Sequence, residues 1–84
     1  MERMYDIRKK EVINIFDGTR LGFVSDVILD ETNGRIKKLI VPAPAKLLGL
    51  FSGGKEYKIG WEDIKVVGDD FLLIDADPTN LLSN

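Results

Sequence analysis

Apolar and polar residues alternate in short blocks along this chain, and most blocks end at a glycine, asparagine, aspartate or proline. The clearest pair of blocks lies within residues 16–42, FDGTRLGFVSDVILDETNGRIKKLIVP, where two runs rich in β-branched residues flank Asn33-Gly34. That dipeptide is a strong hairpin signal, because both residues tolerate the positive φ a tight turn needs. The pattern predicts a long antiparallel hairpin of residues 20–30 against 35–41, preceded by a reversal at Asp17-Gly18. Upstream, residues 11–16 (EVINIF) read as a first strand, with Val12, Asn14 and Phe16 on one face and Ile13 and Ile15 on the other. In the second strand Leu21, Phe23, Ser25, Val27 and Leu29 share a face, yet neither face is purely apolar. A sharply coiled strand with a bulge can change which face is buried along its length, and Gly22 is a natural place for the coil to tighten or for another backbone to approach.

Downstream, residues 56–59, 64–67 and 71–75 read as further strands, separated by Gly60-Trp61-Glu62-Asp63 and Gly68-Asp69-Asp70. About six short strands joined by turns predict an all-β fold, a small antiparallel β-barrel. Residues 1–77 make up its single domain and residues 78–84 a C-terminal tail. Residues 4–10 read as a solvated lead-in carrying Arg8-Lys9-Lys10, and the lone Trp61 reads as a plug in the core. Asp26, a carboxylate among β-branched neighbours, is expected to find an ion pair or a hydrogen bond at a nearby turn.

The stretch APAKLLGLFSGGK at residues 43–55 breaks the alternation. Proline and glycine forbid long regular structure there, yet it carries Leu47, Leu48, Leu50 and Phe51. Each such side chain gains roughly 1.5–3 kcal/mol on full burial, so the four must pack against something. Either they close one end of the barrel or they meet another chain. Leu81 and Leu82 pose the same question in the tail, which is disordered alone or docks on the barrel or on a partner. Gly53-Gly54 lacks the GK[ST] ending of a phosphate loop, and the carboxylates Asp69, Asp70, Asp75 and Asp77 read as solvated turn residues more readily than as cation ligands.

Composition narrows the function. The chain has 84 residues and a net charge of −2, with no cysteine and no histidine. A domain of this size buries only about 60 to 65% of the surface its unfolded chain exposes, so self-association would stabilise it. Without cysteine there are no thiolate metal sites or thiol nucleophiles, and without histidine the usual general base at neutral pH is missing, so no enzymatic activity, cofactor or metal is expected. No apolar run approaches the roughly 20 residues that span a bilayer, so the expected location is the cytoplasm. The expected function is a protein-interaction module, a homodimer or an adaptor, acting through Leu47, Leu48, Leu50, Phe51, Leu81 and Leu82. The alternative is an RNA- or ribosome-associated adaptor using Arg8, Lys9, Lys10, Arg35, Lys37 and Lys38, although Lys37 and Lys38 point to opposite faces of their strand.

One resemblance covers nearly the whole chain. D-G-x-x-L-G-x-V at residues 17–24, D-x-x-x-G-R-I at 30–36, L-G-L-F at 48–51 and W-E-D-I-K-x-x-G-D-D at 61–70 together resemble the PRC-barrel superfamily. EVINI-x-DG and the L-G-L-F loop are most similar to its small single-domain YlmC/YmxH branch, labelled sporulation-related. The resemblance implies a docking module of the kind found in the photosynthetic reaction-centre H subunit and in the ribosome maturation factor RimM, with no catalytic residue to carry over. Where that branch often has I-P-W, this chain has Ile59-Gly60-Trp61, which loosens the corner before the tryptophan.

Overall fold

The computed structural model describes residues 4–43 and 55–83. It begins with one helical turn, α1 (Met4–Arg8), in place of a solvated lead-in. The turn forms because Ile7 has an apolar surface to bury, at 4% exposure, and Lys10 N–H closes it on the Ile7 carbonyl. Strand β1 (Glu11–Asn14) follows, and the chain reverses where Gly18, at φ 76°, donates to the Asn14 carbonyl. Asp17 Oδ1 accepts from Thr19 N and starts β2 (Thr19–Phe23).

The expected long second strand is divided. Val12 pairs with Gly22 but Ile13 pairs with Arg20, so Leu21 is an extra residue and β2 carries a bulge. Gly22 sits at φ 112°, a conformation L-residues rarely adopt, and there the buried face changes. Leu21 and Val24 are buried, whereas Phe23 is 51% exposed. The chain then crosses to a second sheet, where Ser25 N donates to the Ile40 carbonyl and β3 (Asp26–Leu29) begins. Asp26 satisfies its own strand start by accepting from Val27 N.

Strand β3 pairs antiparallel with β4 (Ile36–Pro42), so only the outer half of the expected hairpin is one. Its loop is longer than a two-residue turn. Asp30 N donates to Arg35 O, Gly34 N donates to Asp30 O, and only Gly34 takes the positive φ. Asn33 instead accepts from Arg35 N through its side chain, and Asp30 Oδ1 accepts from both the N–H and the hydroxyl of Thr32.

Strand β5 (Glu56–Gly60) pairs with β4 and ends in a 3₁₀ turn, Trp61–Asp63. Strands β6 (Ile64–Val67) and β7 (Phe71–Ile74) form the last hairpin. Strand β7 then lies parallel to β1, a departure from the purely antiparallel expectation. The reason is topological: β2 holds one edge of β1, and the intervening second sheet acts as the crossover that brings β7 back along the other edge in the same direction. The sheets have orders β2-β1-β7-β6 and β3-β4-β5-β8, with β8 (Leu82–Ser83) added by the tail. They pack face to face, and no ladder closes them into a barrel among the described residues.

The core is shared by both sheets: Val12, Leu72 and Ile74 from the first, Leu39, Val41, Tyr57 and Ile59 from the second. Leu81 joins it at 3% exposure, because Asp77 caps a 3₁₀ turn (Pro78–Asn80) that swings the tail under β5. Of the two polar residues inside among the described residues, Lys10 and Asn14, the more deeply buried is Asn14, at 1% exposure. Its Nδ2 donates to Ala76 O at 2.8 Å, and its Oδ1 accepts from Phe16 N at 3.1 Å and Ala76 N at 3.2 Å. Replacing Asn14 by alanine strands the two Ala76 backbone groups, so Asn14→Ala is expected to lower unfolding free energy in urea by about 2 kcal/mol or more. Leu81→Ala is expected to lower it by roughly 2–5 kcal/mol; a near-zero change would show that the tail contributes no packing.

Among the described residues three carboxyls are held below their ordinary range. The bonds from Thr32 lower Asp30, those from Thr79 lower Asp77, and the Arg20 guanidinium lowers Glu11. Burial raises the Tyr57 phenol. Depressed carboxyls stabilise the fold fully above their unfolded values near pH 4, and that contribution disappears as pH falls through the depressed values. The raised phenol acts in the opposite sense, its contribution fading above about pH 10. Thermal midpoints are therefore expected to be flat between about pH 6 and 9 and to fall at both extremes.

Candidate interaction surface and groove

The two faces of the first sheet are both apolar, but among the described residues only one is covered. In β1 and β7 the side chains of Val12, Asn14, Leu72 and Ile74 point into the core, so Glu11, Ile13, Phe71 and Leu73 point out. Register aligns the outer side chains across strands. Glu11 lies between Phe23 and Phe71, and the next row runs Arg20, Ile13, Leu73, Val66. Phe23 is 51% exposed, Phe71 44% and Val66 49%. Ile15, 50% exposed, continues the alternation beyond β1, where its N–H donates to Ile74 O.

A single ion pair crosses this face diagonally. Arg20 Nη2 and Nε donate to the two carboxylate oxygens of Glu11, at 2.5 and 3.1 Å. That fork binds the charges to each other and leaves the flanking phenyl rings in water, an arrangement in which polar groups are satisfied and the hydrocarbon is not.

The second feature is a groove between the sheets. Leu39 and Leu72 form its floor, Ile7, Ile36 and Val67 its walls, and Trp61 and Arg35 its rim, enclosing about 500 Å³. Trp61 is 43% exposed and is not the core plug its sequence context predicts. It follows Gly60 at the start of a turn that faces outward, with Ile64 N donating to Trp61 O and Asp63 O accepting from Asp75 N. A shallower annex beyond Arg35, Ile36 and Trp61 is edged by Asp30, Lys37 and Glu62. The groove opens at the Ile36 end of β4, while Ala43 N bonds Lys55 O at the other end, roughly 20 Å away along the strand.

The residues expected from sequence to bind a partner are placed unevenly. Leu47, Leu48, Leu50 and Phe51 lie outside the described residues. Leu81 belongs to this chain's own core, and Leu82 is 36% exposed on the edge strand β8. The basic residues do not converge. Lys10 is buried, with its ammonium donating to the Gly68 and Asp69 carbonyls, and Arg8 Nη2 donates to Ser25 O. Arg35, Lys37 and Lys38 belong to the β3–β4 hairpin, on a different part of the surface. Among the described residues no group of three or more His, Cys, Asp or Glu is placed to hold a metal ion, and no helix is long and apolar enough to cross a membrane.

Phe23, Phe71 and Val66 are not among the candidates expected from sequence, because which face of a strand is buried depends on the strands it pairs with. The available signal was Glu11, an acidic residue heading a strand whose alternate position, Ile13, is apolar.

A pair of small packed sheets that share one core defines the class: a compact all-β domain. The chain belongs to the PRC-barrel domain family, whose model matches residues 1–81. It is 32% identical over 69 residues to the probable sporulation protein YlmC of Bacillus subtilis, covering 82% of this chain and 85% of that one. It is 36% identical over 78 residues to the uncharacterized protein CA_C1697 of Clostridium acetobutylicum, covering 93% and 86%. With the uncharacterized protein YmxH of Bacillus subtilis it shares 29% identity over 76 residues, covering 88% of each.

At the loosened corner, Gly60 has φ −65° and ψ 141°, values any residue adopts. A methyl group there would meet the Glu62 carboxylate first, within 3.0 Å, and that group is the far end of a flexible side chain. Gly60→Ala is therefore expected to be neutral or to stabilise by up to about 1 kcal/mol, measured by chemical denaturation; a clear loss would show that the Glu62 position is fixed.

Proposed function

We propose that this domain is a non-enzymatic, cytoplasmic protein-interaction module that self-associates through the outer face of its first sheet. The observation that carries the reading is the alignment of Phe23, Phe71 and Val66, each between 44% and 51% exposed, around one internally satisfied ion pair. Isolated exposed apolar residues are ordinary, but a contiguous set on a flat sheet face favours association. Aromatic side chains concentrate interface energy because they remove much area from water while freezing few rotors. A second copy suits such a face. The Glu11–Arg20 fork is neutral as a unit, so two copies related by a twofold axis bring no net charge into contact.

Leu47, Leu48, Leu50 and Phe51 extend the proposal on sequence grounds, and Leu82 lies at the edge of the other sheet. Similarity to a probable sporulation protein supports placing any further partner among the proteins of a sporulating cell. The scattered basic side chains give no comparable support to an RNA or ribosome adaptor.

Phe71→Lys combined with Val66→Lys is expected to convert an associating wild-type protein into a monomer in sedimentation equilibrium without loss of the folded circular-dichroism signal. Wild-type protein that sediments as a monomer throughout the micromolar range, or a doubly substituted protein that associates as before, would refute self-association through this face.

A further inference from the structure

The groove under Trp61 lies on the opposite side of the first sheet from the proposed docking face. Val67 and Leu72 point into it, while their neighbours Val66 and Phe71 point out. It therefore has its own chemistry, independent of any dimer.

Two properties define what would fit. The lining is hydrocarbon except at the rim, and about 500 Å³ falls in the range of roughly 300–1,000 Å³ usual for small-ligand sites. The second property is the state of Arg35. Its backbone is pinned on both sides, N–H to Asn33 Oδ1 and carbonyl from Asp30 N–H, which fixes where its side chain starts. Its guanidinium makes no ion pair among the described residues. Among the described residues neither of the two carboxylates nearby is paired with it. Asp30 accepts two bonds from Thr32 and is further lowered by Lys37, and the Glu62 carboxylate folds back over Gly60. A guanidinium with five donors at the mouth of an apolar cavity is complementary to a planar anion. Trp61, with a half-exposed indole on the same rim, supplies a flat surface for the body of a ligand.

We propose that this groove binds a small amphipathic carboxylate, its apolar body lying against Trp61, Ile36 and Leu72 and its carboxylate forked on Arg35. The apolar part enters because it displaces water from hydrocarbon walls, and the anion remains at the rim, where solvent still reaches it. Charge and apolarity are thus both required: a neutral isostere keeps the first contribution and loses the second.

The probes are 4-phenylbutyrate and its uncharged isostere 4-phenylbutyramide, titrated into ¹⁵N-labelled full-length protein and followed by amide shifts and by the fluorescence of Trp61, the chain's one tryptophan. The expected result is saturable binding of the carboxylate, with shifts centred on the Trp61 indole N–H and the amides of Ile36, Leu39, Val67 and Leu72. The amide should bind at least about tenfold more weakly, the difference expected for one charge-assisted fork near the surface. Arg35→Met, at an exposed position, should leave the rest of the spectrum in place and make the two probes equal. Absence of saturation, equal affinities in the wild type, or shifts confined to Phe23, Val66 and Phe71 would overturn the proposal. The last outcome would leave the docking face standing, and monomeric wild-type protein that still binds the carboxylate would leave the groove standing.

Discussion

The arrangement depends on what happens at Asn14. The chain that enters the first sheet at β1 is remote from the chain that leaves it after β7, and the junction between these neighbouring strands has to be made from backbone groups that water cannot reach. Asn14 solves this with one side chain. It occupies the last position of β1, donates to and accepts from Ala76 just past β7, and accepts from Phe16 as the chain turns away. A carboxamide is suited to the position because it offers both a donor and an acceptor, so it can replace a water that would otherwise satisfy both Ala76 groups. From Ala76 the consequences run onward. Asp77 caps the next turn, Leu81 is carried into the core, and Leu82 reaches the edge of β5.

Much of the fold was legible because the responsible signals are local. Asp17-Gly18 and Gly34 announce reversals through conformations that few other residues accept, and both glycines do take positive φ. Gly22, expected as a place for the coil to tighten, also takes a positive φ, beside the bulge. The strand limits of β6 and β7 follow from the flanking glycine and aspartates. What could not be read locally is which strand meets which. Nothing in EVIN or FLLI states that they run parallel, because that depends on the second sheet intervening as a crossover. The division of residues 20–30 into two strands in two sheets was hidden similarly, since a glycine announces where a strand can tighten but the bend angle is set by packing.

The candidate sites show the same split. Trp61 reads as a core residue because tryptophan is the largest apolar side chain, yet the 3₁₀ turn that contains it holds the ring at the rim of the groove. Leu81 reads as a tail residue by position and is a core residue by contact. Lys10 reads as part of a basic cluster, but its ammonium terminates the β6–β7 turn by binding two carbonyls, which removes it from any charged patch. In each case the residue type was informative about energy and silent about direction. Direction comes from alternation within a strand whose partner is known.

The bonds from Asn14 to Ala76 join positions 62 residues apart, and β1 meets β7 over a similar interval. During synthesis on a ribosome, therefore, the β1–β2 hairpin can emerge early but the first sheet cannot be completed until almost all of the domain has left the exit tunnel. Contacts so distant along a chain slow folding, because a large loop must close before any of them is made. Until then Leu21 of β2 and the inner face of β1 are exposed together, and the nascent polypeptide passes through a stage in which side chains that the finished molecule buries are open to other chains.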